Sequence, residues 1–174
     1  MQQTSPAVFG IVGWKNSGKT TLVEALVSNL TARGLRVSTV KHAHHAFDID
    51  HEGKDSFRHR QAGASQVIIS SRFRWAMVSE NGPHAEPTLD ELITHLAPCD
   101  IVLVEGFKSG THPRIEVIRE LGPDGRFADQ DTSIIAVAAK SPDLAGPHQC
   151  LPLDEPPRIA DFILRQIARR RHPD

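Results

Sequence analysis

The residues with the clearest chemical potential lie near the N-terminus, where Gly13 to Thr20 read G-W-K-N-S-G-K-T. This run matches the phosphate-binding pattern G-x-x-x-x-G-K-[ST] at every fixed position. The glycines allow backbone amides to face a bound phosphate, Lys19 reaches the β and γ oxygens, and Thr20 offers a hydroxyl to Mg²⁺. We therefore predict that the nucleotide is bound by the loop and one following threonine, which are Gly13, Trp14, Lys15, Asn16, Ser17, Gly18, Lys19, Thr20 and Thr21.

A magnesium site needs further oxygen ligands, and Glu105 directly follows four apolar residues of a predicted strand. In sheets of this kind the partner carboxylate stands at the C-terminal end of a neighbouring strand. We therefore predict that Thr20 and Glu105 hold Mg²⁺ and that Lys19 and Glu105 take part in catalysis. The polar segment 41–63 adds three acids that could orient a water or contact the metal indirectly. Sequence alone does not choose among them; Asp48 is our candidate for the metal, Asp50 is our candidate for catalysis, and Asp55 stays open.

The elements around these residues predict an α/β fold, a mostly parallel sheet flanked by helices with a small β-hairpin extension. A strand at 7–12, a helix at 19–30 and a strand at 35–40 form a strand-helix-strand unit. Further strands are expected at 66–69, 74–78, 101–104, 114–118 and 133–138, with helices at 54–62, after Thr88 and around 159–167. We interpret 142–157 as an ordinary surface connection. The whole chain, 1–174, is predicted to be a single P-loop nucleotide-binding domain with flexible ends at 1–6 and 169–174.

Composition excludes several classes of protein. Twenty lysines and arginines face 21 acidic residues among 174, so the formal charge of −1 offers no bulk polycation for nucleic acid. No stretch approaches the roughly 20 apolar residues that span a bilayer, and the N-terminus lacks the layout of a signal peptide. Two cysteines are too few for a thiolate zinc site. We expect a cytoplasmic protein that binds neither nucleic acid nor membranes.

Four further motifs follow the P-loop in order. They are K-H-x-H-H at 41–45, G-K-D-S-x-R at 53–58, A-G-A at 62–64 and E-G-F-K at 105–108. With the P-loop, they give the chain a pattern that resembles the molybdopterin-guanine dinucleotide biosynthesis adaptor family over roughly residues 7–140. The resemblance implies a homodimeric GTP-binding protein with weak GTPase activity. Such a protein assists the molybdenum cofactor guanylyltransferase that joins GMP to molybdopterin, and molybdopterin itself is a second candidate partner.

The resemblance also bears on individual residues. It implies that Glu105 is the Walker B acid and that the three aspartates lie near the nucleotide or its Mg²⁺. Related dimeric P-loop proteins carry a second lysine directly after the first glycine, where this chain has Trp14. The base-reading motif N-K-x-D is absent as such. Lys140 and Asp143 follow a predicted strand where that motif should fall, and a carboxylate there can accept hydrogen bonds from guanine while the lysine stem covers the base.

Histidines supply the main alternative. Five of the ten histidines fall between residues 42 and 59, at His42, His44, His45, His51 and His59. Imidazoles near carboxylates can hold Zn²⁺ or Ni²⁺, which would indicate a metallochaperone GTPase. They can equally bond phosphates, a partner or water, and the resemblance favours this second interpretation. A third candidate is a small-molecule kinase that uses ATP.

Overall fold

A computed structural model describes residues 5–43, 50–82, 86–107 and 110–171. The chain forms two compact units. The larger comprises Met1–His42 and Ile93–Asp174, and the smaller comprises Ala43–Leu92. In chain order the elements are β1 (Ala7–Val12), α1 (Lys19–Ala32), β2 (Val37–Lys41), α2 (Asp55–Gln61), β3 (Gln66–Ser70), β4 (Trp75–Ser79), α3 (Leu89–Thr94), β5 (Ile101–Glu105), β6 (Arg114–Ile118), β7 (Ile134–Ala139), α4 (Pro142–Ala145), β8 (Cys150–Pro152) and α5 (Pro156–Arg171).

The larger unit is built on a six-stranded sheet in the order β2-β5-β1-β6-β7-β8, and every pairing in it is parallel. This confirms the predicted mostly parallel sheet. Strand β1 therefore ends between β5 and β6. In register, Ile11 lies beside Glu105, and Val12 lies beside Glu116. The residues that follow β1, β5 and β6 consequently meet at one edge of the sheet.

Helices α1 and α5 cover the sheet with apolar faces. Strands β5 and β6 are buried along their whole length, as central strands of parallel sheets with both faces covered usually are. Leu22, Leu26 and Leu30 recur at helical spacing on α1 and join the same core as Ile159 and Ile163 of α5. This packing fixes the first turn of α1, and with it the end of the phosphate loop, against the sheet.

Two expectations about element boundaries change. Strand β2 starts at Val37 and not at Leu35, because the amide of Leu35 still bonds to the carbonyl of Leu30 at the helix end. Gly34 adopts φ +84° after the helix, as expected of a residue that ends one. The interpretation of 142–157 as a surface connection is wrong. That stretch contains α4 and β8, in which Ala145 and Leu151 are buried.

The smaller unit contains the predicted hairpin and short helix. Strands β3 and β4 pair antiparallel, and Gln66 lies opposite Ser79. Thr88 and Glu91 form a reciprocal cap at the start of α3, in which the Thr88 amide donates to Glu91 Oε2 at 2.8 Å and the Glu91 amide donates to Thr88 Oγ1 at 3.3 Å. Across the described ranges, no helix is both long and apolar enough to cross a bilayer.

Candidate functional site

The loop between β1 and α1 depends on its glycines. Gly13 and Gly18 have φ of +147° and +98°. A Cβ at Gly13 would stand 2.6 Å from the carbonyl oxygen of Val117, and one at Gly18 would stand 2.8 Å from Nε of Arg119. Gly13 therefore excludes a side chain both by conformation and by space, because the atom it would meet is backbone. Gly18 disfavours one by its positive φ, since the Arg119 side chain could move aside. Asn16, at the outer turn, has φ +64°.

Lys19 opens α1 and turns back over the loop. Its Nζ donates to the carbonyl of Gly13 at 2.9 Å and to that of Trp14 at 2.6 Å. Gly18 is the N-cap, and its carbonyl accepts the amide of Leu22. The amides of the first turn have no acceptor inside a helix, and the helix dipole adds partial positive charge there. The ammonium group and these amides together form the kind of surface that binds an anion.

Glu105 meets the loop from the neighbouring strand. Thr20 Oγ1 donates to Glu105 Oε1 at 2.9 Å across 85 residues of sequence. Lys41 Nζ, at the end of β2, lies 3.4 Å from the same oxygen. Glu105 is 9% exposed, so its carboxylate is largely withdrawn from water. The structure thus brings together Thr20 and Glu105, two of the three residues that the sequence proposed for Mg²⁺.

Trp14 is turned toward the segment after β6. Its ring packs against Phe127 with centroids 4.9 Å apart, and its Nε1 donates to the carbonyl of Gly125 at 3.4 Å. A Cβ at Gly122 would stand 2.1 Å from the same Nε1. Lys15 and Asn16 are exposed, whereas Ser17 is buried and its hydroxyl makes no hydrogen bond within the described ranges.

The two residues proposed to read the base lie at the same edge of the sheet. Lys140 follows β7 directly, and Asp143 lies in the first turn of α4; both are exposed. Arg126 holds this turn in place, because it donates to the carbonyl of Leu144 at 2.7 Å and to that of Asp143 at 3.1 Å. Gly125 and Phe127, the neighbours of Arg126, contact Trp14. One short segment therefore touches both the phosphate loop and the turn that carries Asp143.

Comparisons with known proteins identify the family. A profile of MobB, described as molybdopterin guanine dinucleotide synthesis protein B, matches residues 8–140. The chain belongs to the MobB family. Its relatives include the molybdopterin-guanine dinucleotide biosynthesis adapter protein of Haemophilus influenzae, which is 41% identical over 90% of this chain and 86% of that protein. The corresponding protein of Escherichia coli is 34% identical over 97% of both chains.

Solved MobB structures share the fold. The crystal structure of a molybdopterin-guanine biosynthesis protein B matches with a TM-score of 0.73 at 30% identity, and covers 91% of this chain and 99% of that one. A MobB homologue from Bacillus stearothermophilus matches with a TM-score of 0.68 at 28% identity over 92% and 97%. The resemblance inferred from the motifs is thereby confirmed, and the chain is a MobB-type adapter protein of molybdopterin guanine dinucleotide biosynthesis.

The aspartates of the polar segment belong to the smaller unit. Asp50 is buried there, accepts a 2.6 Å hydrogen bond from Ser56 and lies 3.1 Å from Nε of Arg60. The Ser56 hydroxyl lowers the pKa of Asp50 below its ordinary value, burial opposes that shift, and Arg60 adds to it. Asp55 is exposed at the start of α2, and Asp48 lies outside the described residues.

Of the five clustered histidines, His44 and His45 lie outside the described residues. His42 packs against Phe107 with ring centroids 4.9 Å apart. Within 5–43, 50–82, 86–107 and 110–171, no three side chains of the ligand types converge as a metal site would require.

Arg119 is the site residue that sequence reasoning missed. With Asn16, Gly18, Lys19, Thr20 and Thr21 it lines a cavity of about 310 Å³. Its position in the sequence could have indicated it, because Arg119 follows the buried strand β6 just as Glu105 ends the buried strand β5. Charged residues at the C-terminal ends of buried parallel strands mark candidate ligand contacts.

Proposed function

We propose that this MobB family member binds GTP with Mg²⁺ at the loop 13–20 and serves the guanylyltransferase step of cofactor synthesis as a nucleotide-dependent adapter. The observation that carries the proposal is the hydrogen bond from Thr20 to Glu105, which joins the last residue of the phosphate motif to the strand-end carboxylate. Amides of the first turn of α1 and the ammonium of Lys19 would bind the phosphates.

The donor set fits both the nucleotide and the metal. A hydroxyl and a carboxylate oxygen 2.9 Å apart are hard oxygen ligands, which Mg²⁺ prefers. Glycine at 13 lets the loop lie against the backbone of Val117, and glycine at 18 leaves room for Arg119 at the edge of the cavity. Bound Mg²⁺ would neutralise charge on the β- and γ-phosphates; Thr20 and Glu105 would hold it, and Lys19 would orient the phosphates.

The remaining roles complete the proposal. Lys140 and Asp143 would select guanine from the turn that Arg126 holds. Asp48 would support the metal, and Asp50 would act in the weak hydrolysis that we expect of this chain. A homodimer in the cytoplasm would present the loaded nucleotide to the guanylyltransferase, with molybdopterin as a candidate second ligand. The family assignment supports the pathway.

A nucleotide titration tests the proposal. We expect the purified protein to bind GTP by calorimetry in a Mg²⁺-dependent manner, and Lys19→Ala to bind at least about tenfold more weakly, since it loses a charge-assisted phosphate contact. Glu105→Gln should lose most of the Mg²⁺ dependence while it keeps binding to GDP. The control is Arg158→Ala, an exposed cation on α5 whose carboxylate neighbour is Glu155.

The same titration separates the alternatives. Absence of heat with GTP, GDP and ATP, or equal binding by Lys19→Ala, would refute nucleotide binding at this loop. Preference for ATP with consumption that requires an added acceptor would indicate a kinase. Binding of Zn²⁺ or Ni²⁺ by an untagged, chelator-washed sample would indicate a metallochaperone.

A further inference from the structure

Arg119 approaches the phosphate loop from the side opposite Glu105. It follows β6, which pairs with one edge of β1, whereas Glu105 ends β5 on the other edge. Its guanidinium lies against the last glycine of the loop, because a Cβ at Gly18 would stand 2.8 Å from Nε and 2.9 Å from Nη2. The side chain also lines the 310 Å³ cavity together with Lys19.

Arg119 has no carboxylate partner among the residues that the structure describes. It is exposed and makes no ion pair within the described ranges, whereas Arg33, Arg36 and Arg114 of the same unit pair with Asp161, Asp100 and Asp131. Arg119 instead lies beside the positive end of the α1 dipole, where a cation is unfavourable. The ammonium of Lys19 adds charge of the same sign at the same place. An anion bound in the cavity would reverse this repulsion into attraction.

We propose that Arg119 binds the α,β-diphosphate of the guanine nucleotide, which is a contact common to GDP and GTP. This inference rests on the proposed nucleotide site. Thr20 and Glu105, the proposed metal ligands, lie toward β5. A metal held by them would neutralise charge on the terminal phosphates, so that end of the nucleotide would lie toward β5. Lys140, proposed to contact the base, follows β7 on the far side of β6. Arg119 therefore lies between the metal side and the base side, where the planar fork of a guanidinium suits two phosphate oxygens.

The test measures dissociation constants for GDP and GTP with wild type, Arg119→Gln, Arg119→Lys and the control Arg158→Gln. Loss of a charge-assisted hydrogen bond predicts roughly 10-fold to 100-fold weaker binding of both nucleotides to Arg119→Gln. The ratio of the two constants should stay at its wild-type value. Arg119→Lys should recover part of the affinity, because it keeps the charge but loses the fork.

The unfolding temperature distinguishes a nucleotide contact from a purely structural role of Arg119, because loss of a structural contact would lower it. Because Arg119 faces the positive end of a helix, we expect Arg119→Gln to unfold at or above the wild-type temperature. A lower unfolding temperature, or nucleotide affinities equal to wild type, would refute the inference and leave the proposed function intact. Loss of GTP binding with unchanged GDP binding would show that Arg119 contacts the γ-phosphate and would also refute it. Failure of the wild type to bind either nucleotide would refute the proposed function itself.

Discussion

Glu116 is a buried acid whose substitution tests how the phosphate loop is held. Glu116 lies beside Val12, the residue that precedes the phosphate loop, and it is 0% exposed. Oε1 accepts the amide of Phe127 at 3.0 Å, and Oε2 accepts the amide of Ala128 at 2.9 Å. These amides start a single 3₁₀ turn, Phe127–Asp129, and Phe127 packs on Trp14. Glu116 therefore fastens the segment against which the loop rests.

Glu116→Gln keeps the shape of the side chain and removes one acceptor. Its amide nitrogen must face a backbone N–H, so one hydrogen bond is lost and two buried donors oppose each other. Each buried donor left unsatisfied costs about 1–3 kcal/mol, so the two opposed donors give a destabilisation of about 2–6 kcal/mol. For a chain of this size, each kcal/mol lowers the unfolding temperature by about 2–4 °C, so the expected fall is about 4–24 °C.

The assay is urea unfolding followed by tryptophan fluorescence. The chain has two tryptophans, so a Trp75→Phe background leaves Trp14 as the reporter beside the affected segment. Glu24→Gln, an exposed acid on α1, is the matched control, and its free energy of unfolding should change by less than about 0.5 kcal/mol. If Glu116→Gln were also within about 0.5 kcal/mol of wild type, the two amide contacts would not hold the segment as argued.

Two further predictions concern other parts of the chain. Gly122→Ala should change the Trp14 emission in the same background, because a Cβ there would stand 2.1 Å from the indole nitrogen; an unchanged spectrum would contradict this contact. In the smaller unit, the hydrogen bond from Ser56 lowers the pKa of Asp50 below its ordinary value of 3.8. Burial opposes this shift, and Arg60 adds to it. The folded state then binds protons less readily than the unfolded one, so this stability is present above pH 3.8 and is lost as the pH falls through the lowered value. Asp50→Asn should show a smaller loss of unfolding temperature between pH 6 and pH 3 than wild type, and equal losses would exclude the effect.

The phosphate loop and Glu105 were predictable because their evidence is local. The loop is one contiguous motif between an apolar run and a helical period, and Glu105 directly follows an unbroken run of four apolar residues. Each of these two sequence patterns identifies one secondary-structure element and the residue at which it ends. In a parallel sheet the ends of neighbouring strands meet at one edge, so the contact between Thr20 and Glu105 needed only the assumption that β1 and β5 are neighbours.

Arg119 and β8 were missed for physical reasons that differ. The role of Arg119 depends on β6 lying beside β1, and nothing in the local sequence encodes that order. Strand β8 has three residues and pairs with β7 at the end of the sheet order, and three residues are too few to show a period of two. The prolines in and around it, at 147, 152, 156 and 157, are typical of a loop, but parallel pairing with β7 buries Leu151.

Trp14 occupies a position of the phosphate loop at which a cation could otherwise help to balance the charge of the phosphates. Related dimeric P-loop proteins carry a lysine at this position, whereas here an indole packs on Phe127 and donates to the carbonyl of Gly125 within the same chain. Turning the indole outward would remove an aromatic contact and a hydrogen bond, so this position is committed to holding the loop against the segment after β6. That segment begins next to Arg119, whose guanidinium borders the loop at Gly18. Trp14 thus anchors the loop, and we infer that the cation that supplements Lys19 is Arg119, directly after β6 of the same chain.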